Sequence, residues 1–162
     1  MHYQFQKDLK DGASFEEEVT KLLKGYLDDF VFITNKTKEY DILVSDTFEN
    51  VSNNSKNVTF EVKNDLMATK TGNVAIEYEC RGEESGLVVT TADWWVHGID
   101  GIPYFITVDK LREICLLATK KVIGGDKGSS TKLYLIKIDD FKKHCINMNE
   151  VIDDIKKIFK VS

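Results

Sequence analysis

Residues 58–63 read VTFEVK, and the alternation across those positions decides both the fold and the place of its chemistry. Side chains alternate along a strand, so Val58, Phe60 and Val62 point one way and Thr59, Glu61 and Lys63 the other. The apolar face needs a covering layer, so this stretch is a strand of a half-buried sheet. Its other face sets a carboxylate beside an ammonium. Upstream, Asp41 opens a second apolar run, DILV (41–44). The Asn-rich stretch between them, DTFENVSNNSKN (46–57), reads as a loop or hairpin tip. A hairpin across it carries Asp41 to Glu61.

Working outward, residues 13–28, ASFEEEVTKLLKGYLD, have helical periodicity. Ser14 stands at an N-cap with Glu17 at the capping-box spacing. Phe15, Val19, Leu22, Leu23, Tyr26, Leu27 and Phe30 fall on one stripe. Of the three consecutive glutamates, Glu16 lies within roughly 60° of its centre and should face the sheet, where an unpaired carboxylate is costly. Phe30–Thr34 and Tyr40–Ser45 read as two strands, or one interrupted strand.

Downstream, Asn64–Gly72 reads as a loop and Asn73–Cys80 as a strand, with Glu77 and Glu79 opposite Val74, Ile76 and Tyr78. Residues 81–86 turn the chain. Leu87–Val96 fits a strand or a helix opening at Thr91. Then come a strand (Tyr104–Val108), a helix (Asp109–Thr119), a Gly-rich loop, a strand (Lys132–Ile138) and two helices, near Asp140–Cys145 and from about Asn149 to Phe159. This order predicts an α/β (α+β) fold, one domain over residues 1–162, with a central mixed β-sheet flanked by helices.

The 162 residues are 42% hydrophobic and 30% charged, a globular balance. No apolar run is long enough to span a membrane, and the start lacks the apolar core of a secretory signal. Cys80, Cys115 and Cys145 are scattered and form no CxxC. That predicts a reduced, cytoplasmic chain with neither zinc site nor disulfide scaffold. The abundance of Lys, Ile and Asn is what AT-rich coding produces, as in a virus or a low-GC microbe.

The net charge of −5 disfavours coating nucleic acid through bulk charge. It leaves room for an enzyme in which acids hold a metal. Two carboxylates converging beside an ammonium suit phosphodiester hydrolysis with Mg²⁺ or Mn²⁺, hard ions that take oxygen ligands and activate water. Lys63 can orient or deprotonate that water, or stabilise the charge that develops. Lys36, Lys38, Lys70 and Arg81 sit in loops near the proposed site and can grip a DNA backbone. Trp94 and Trp95 either stack on bases or supply core. GGDKGSS lacks P-loop spacing, and His97 reads as structural.

Together, Asp41, the Glu61-Val62-Lys63 strand and the preceding GASFEEEVTKLL helix resemble the PD-(D/E)XK nuclease superfamily. The layout is most similar to archaeal-type Holliday-junction resolvases and related phage nucleases. TGNVAIEYE (71–79) and ESGLVVTTADWW (84–95) also look like a stretch of phage-type members. The resemblance covers about residues 12–97; Tyr40-Asp41 stands where the family has "PD", and the Asp-to-Glu spacing is longer than in compact resolvases. It implies a restriction-endonuclease-like core. Asp41, Glu61 and the carbonyl of Val62 would hold Mg²⁺ (or Mn²⁺), Glu16 would assist, and Lys63 would complete the catalytic set. The implied activity is endonucleolytic cleavage of DNA to a 5′-phosphate and a 3′-hydroxyl, in a homodimer. The other expectation is a non-catalytic nucleic-acid- or protein-binding module on the same fold, such as a phage accessory protein.

Overall fold

The computed structural model describes residues 2–34, 37, 39–124 and 130–160, and side chains from Ser14 onward; Lys36 and Lys38 lie outside the described residues. Helix α1 (His2–Tyr26) leads to strands β1 (Val31–Thr34) and β2 (Ile42–Ser45), a short helix α2 (Phe48–Asn53) and β3 (Val58–Asp65). A helical turn, α3 (Ala68–Thr71), precedes β4 (Asn73–Cys80) and the two-residue β5 (Glu83–Glu84). Then follow β6 (Trp94–Ile99), β7 (Ile102–Thr107), α4 (Val108–Cys115), β8 (Thr119–Ile123), β9 (Thr131–Lys137), α5 (Ile138–Lys143) and α6 (Met148–Phe159).

The mixed sheet has the order β1-β2-β3-β6-β7. β2 runs antiparallel to β3, with Ile42 opposite Phe60. β6 runs parallel to β3, with Glu61 opposite Trp95 and Lys63 opposite His97. One face is covered by α1 and α6: Phe15, Val19, Leu23 and Leu27 meet Phe60, Val62, Trp94 and Val96, with Val151 and Ile155 alongside. Gly98 lets α1 come this close, since a Cβ there would lie 2.6 Å from the Phe15 ring.

The other face carries Glu61, Lys63, Trp95 and His97. It packs on a second, antiparallel sheet of order β5-β4-β9-β8. Trp95, Ile99 and Ile106 join Val74, Ile76 and Ile136 of that sheet, with Leu111 of α4 and Phe141 of α5.

Several boundaries differ from the sequence reading. The helix of residues 13–28 starts earlier and ends at Tyr26, so Ser14 and Glu17 lie inside it and form no capping box. No proline interrupts the lead-in, and Gly12 alone costs only about 1 kcal/mol in a helix. Within 46–57, read as loop, α2 is capped by Thr47, whose hydroxyl accepts from the Asn50 N–H. β8 was read as a helix end and loop. It is an exposed edge strand, so burial gives it no period-two pattern.

Asp65 ties the two sheets together. Its Oδ1 accepts the Met67 N–H at 3.1 Å, and its Oδ2 accepts the Ala75 N–H at 3.1 Å and His97 Nε2 at 2.9 Å. Trp95 Nε1 donates to His97 Nδ1 at 3.1 Å. An indole N–H can only donate, so Nδ1 accepts and the ring proton sits on Nε2, facing Asp65. Burial alone would raise the Asp65 carboxyl, but the bonds from His97, Ala75 and Met67 hold it below its ordinary value. The stabilisation is therefore present above that ordinary value and lost as pH falls through the depressed one. Asp65→Asn should cost about 2–3 kcal/mol in urea unfolding at neutral pH. The gap to the parent should close as the medium is acidified; a gap constant with pH would show that the carboxylate charge is not what binds the sheets.

Candidate active site

β3 outruns its neighbour. β2 begins at Ile42, so the β3 edge beyond Phe60 has no strand beside it on that flank. Asp41 occupies the step. Its main-chain N–H donates to the Phe60 carbonyl at 2.9 Å, and its Oδ2 accepts the Val62 N–H at 2.8 Å. The N–H and C=O of one strand residue point the same way, so the Val62 carbonyl opens on this same edge.

Glu61 stands next to Asp41 and is only 5% exposed. Its Oε1 is 2.7 Å from Lys63 Nζ. Its Oε2 has Thr90 Oγ1 at 3.5 Å, but that hydroxyl already donates to the Glu39 carbonyl at 2.8 Å. The Thr90 contact to Oε2 is therefore long and shared, while Lys63 holds Oε1 closely. Burial raises the Glu61 carboxyl above its ordinary value; Asp41 adds to that, and the Lys63 ammonium only partly offsets it.

Lys63 is raised as well. Desolvation pulls an ammonium down, but the carboxylates of Glu61, Asp41 and Glu77 outweigh it and hold Lys63 above its ordinary value. In this geometry Lys63 keeps its proton and offers N–H donors, not a lone pair. Its side chain is 46% exposed, so the donors can reach a ligand.

The loop after β5 closes the site from the second sheet. Gly86, at φ 52°, lies against the Glu77 carbonyl so tightly that no Cβ fits. Leu87 N–H donates to that carbonyl at 2.9 Å, and Ser85 Oγ donates to Glu77 Oε1 at 2.5 Å. Arg112 reaches from α4 to the carbonyls of Leu87 (3.2 Å) and Thr90 (2.8 Å). The loop is thus fixed on both sides, with Thr90 beside Glu61.

The structure therefore brings Asp41, Glu61, Val62 and Lys63 to one strand edge. Glu16 is half-buried on α1, the helix that covers the face of Phe60 and Val62. Lys70 and Arg81 are exposed but lie beyond opposite ends of β4, an eight-residue strand roughly 25 Å long. They do not form one basic patch. Trp94 and Trp95 are both buried, so neither is a surface stacking platform. Among the described residues no three His, Cys, Asp or Glu side chains gather into a metal cage.

Glu77, which the sequence places only on the face of its strand opposite Val74 and Ile76, stands close to Lys63. It belongs to a strand of the other sheet that packs across from β3, a relation that alternation within one strand cannot show. Arg112, Ser85 and Gly86 carried only the signal of a turn and a helix face.

A group whose folded pKa is raised binds its proton more tightly in the native state. The contribution of Glu61 to stability thus declines as pH rises from its ordinary value, 4.5, to the raised one. Glu61→Gln removes that decline. Its thermal stability relative to the parent should improve steadily with pH across this window, and a flat difference would show that Glu61 is not strained by its burial. Comparison with protein-family models, with curated proteins and with solved structures finds no match to this chain.

Proposed function

We propose that this chain is a metal-dependent endodeoxyribonuclease and that the β3 edge is its active site. The observation that carries the reading is Glu61: a buried carboxylate set beside a second carboxylate, Asp41, at an unpaired strand edge. Burying one carboxylate beside another is expensive, and Lys63 offsets only part of the cost, so a cation at that edge relieves the rest.

The donor set fits Mg²⁺ or Mn²⁺. Asp41, Glu61 and the Val62 carbonyl are all hard oxygen donors, and Mg²⁺ commonly takes one or two carboxylates and keeps its waters. When bound, such an ion lowers the pKa of a coordinated water and offsets phosphate charge. The chain's own residues supply the rest. Asp41 is fixed by the Val62 N–H, so its carboxylate is already aimed. Lys63 directs an ammonium at the position where negative charge develops on the phosphate, and it can hold the attacking water by hydrogen bonding. Glu16 assists from α1, directly or through water.

The test uses branched, linear and single-stranded DNA with Mg²⁺, Mn²⁺ or EDTA. Cleavage should require metal. Asp41→Asn, Glu61→Gln and Lys63→Ala should each lower the rate by about 10²-fold or more, and Glu16→Gln by less. Millimolar metal should raise the melting temperature of the parent but not of Glu61→Gln. Cleavage that survives both EDTA and Lys63→Ala would place the activity elsewhere. Tight DNA binding with no cleavage of any substrate would favour the binding module instead.

A further inference from the structure

A cleft of about 440 Å³ lies between the two sheets, immediately beside Lys63. That volume falls within the range of small-ligand sites. Trp95 forms part of its floor and Ala75 and Glu77 part of one wall, while Leu66 and Met67 stand at its mouth. Those last two are 53% and 52% exposed. Lys63 stands where the cleft meets the carboxylate pair.

We propose that this cleft takes one unstacked nucleobase of the strand being cut, and that Glu77 selects bases whose C4 or C6 edge carries an amine, cytosine or adenine, over thymine. The inference rests on the nuclease reading and names the substrate for the same site. A nucleotide offers a planar ring with polar edges and a phosphate, and the cleft mixes apolar side chains (Met67, Leu133) with polar ones (Asn64, Asp65, His97) and has the Lys63 ammonium at one end. Glu77 gives the wall a polar reader. Ser85 anchors its Oε1, which fixes the carboxylate in one orientation. A carboxylate accepts from the N4 amine of cytosine or the N6 amine of adenine, whereas thymine presents a carbonyl at that edge and is repelled.

A base inside a duplex cannot enter. It must leave the stack, which costs a few kcal/mol and least where it is already unpaired. The site therefore favours single strands, junctions and flaps. With a net charge of −5, the protein has little bulk attraction for duplex DNA to set against this local preference.

The experiment titrates dAMP, dCMP and dTMP into the full chain with millimolar Mg²⁺, read by calorimetry and by tryptophan fluorescence. The two amine-bearing nucleotides should bind about tenfold more tightly than dTMP, the scale of one hydrogen bond to a charged acceptor. Glu77→Gln, which can also donate, should bring the three within about twofold. Ala75→Phe should fill the cleft and abolish binding. Leu66→Ala with Met67→Ala removes only exposed side chains, keeps the fold, and should weaken all three nucleotides severalfold. Equal affinities in the parent, no binding at millimolar nucleotide, or binding indifferent to Glu77→Gln and to the mouth substitutions would each overturn the proposal. The two readings separate cleanly. Metal-dependent cleavage without base discrimination removes the base cleft and leaves the nuclease; base discrimination without cleavage of any DNA does the reverse.

Discussion

The position of the second sheet rests on one carboxylate. Asp65 ends β3 and receives hydrogen bonds from the start of the α3 turn, from β4 and from the His97 ring on β6. Charge-assisted bonds of this kind are about twice as strong as neutral ones. The bond from Trp95 to His97 settles the ring tautomer, and the tautomer in turn aims the Nε2 proton at Asp65. Sheet-on-sheet packing alone tolerates sliding. A point contact of this kind sets where β4 crosses β3, and hence where Glu77 stands relative to Lys63.

The site itself follows from a mismatch in strand length. Where β2 stops, β3 continues with one edge unpaired, and Asp41 turns its side chain back to take the Val62 N–H that a longer β2 would have taken. A sheet edge of this sort exposes main-chain oxygen and nitrogen next to side chains already oriented by the strand. Glu61 then stands on the inner face, enclosed by the Thr90 loop that Arg112 clips in place. Polar groups gather here because the strand that would have covered them is missing.

Much of this was legible in the sequence, and the reason is alternation. The period-two pattern of VTFEVK put Glu61 and Lys63 on one face and Phe60 and Val62 on the other, and the core divides in that way. The Asn-rich connection did join antiparallel partners, bringing Asp41 to its place. What stayed hidden was set by tertiary contact. β8 is exposed along its whole length, so no burial imprinted a pattern on it. The second sheet, the role of Glu77 and the Asp65–His97–Trp95 chain all depend on packing between segments distant in sequence. The stripe holds at Phe15, Val19 and Leu23 of α1 and at Leu27 just beyond it, yet Leu22 and Tyr26 are exposed. A helix lying across one layer buries a narrower arc than the periodicity alone suggested.

The charge state of Lys63 bears on how such a site would act. An amine that serves as a general base must lose its proton near neutral pH, and enzymes achieve this by burial or by neighbouring cations. Lys63 has the opposite surroundings: three carboxylates hold its proton in place, and nearly half of its side chain meets solvent. Its chemistry is then that of a fixed positive charge and a set of donors. Such a group stabilises an anionic transition state without any proton leaving it. Within the nuclease reading proposed above, Asp41 and Glu61 stand beside that lysine. Two acids that repel a bare phosphate become useful only when a cation stands between them and it.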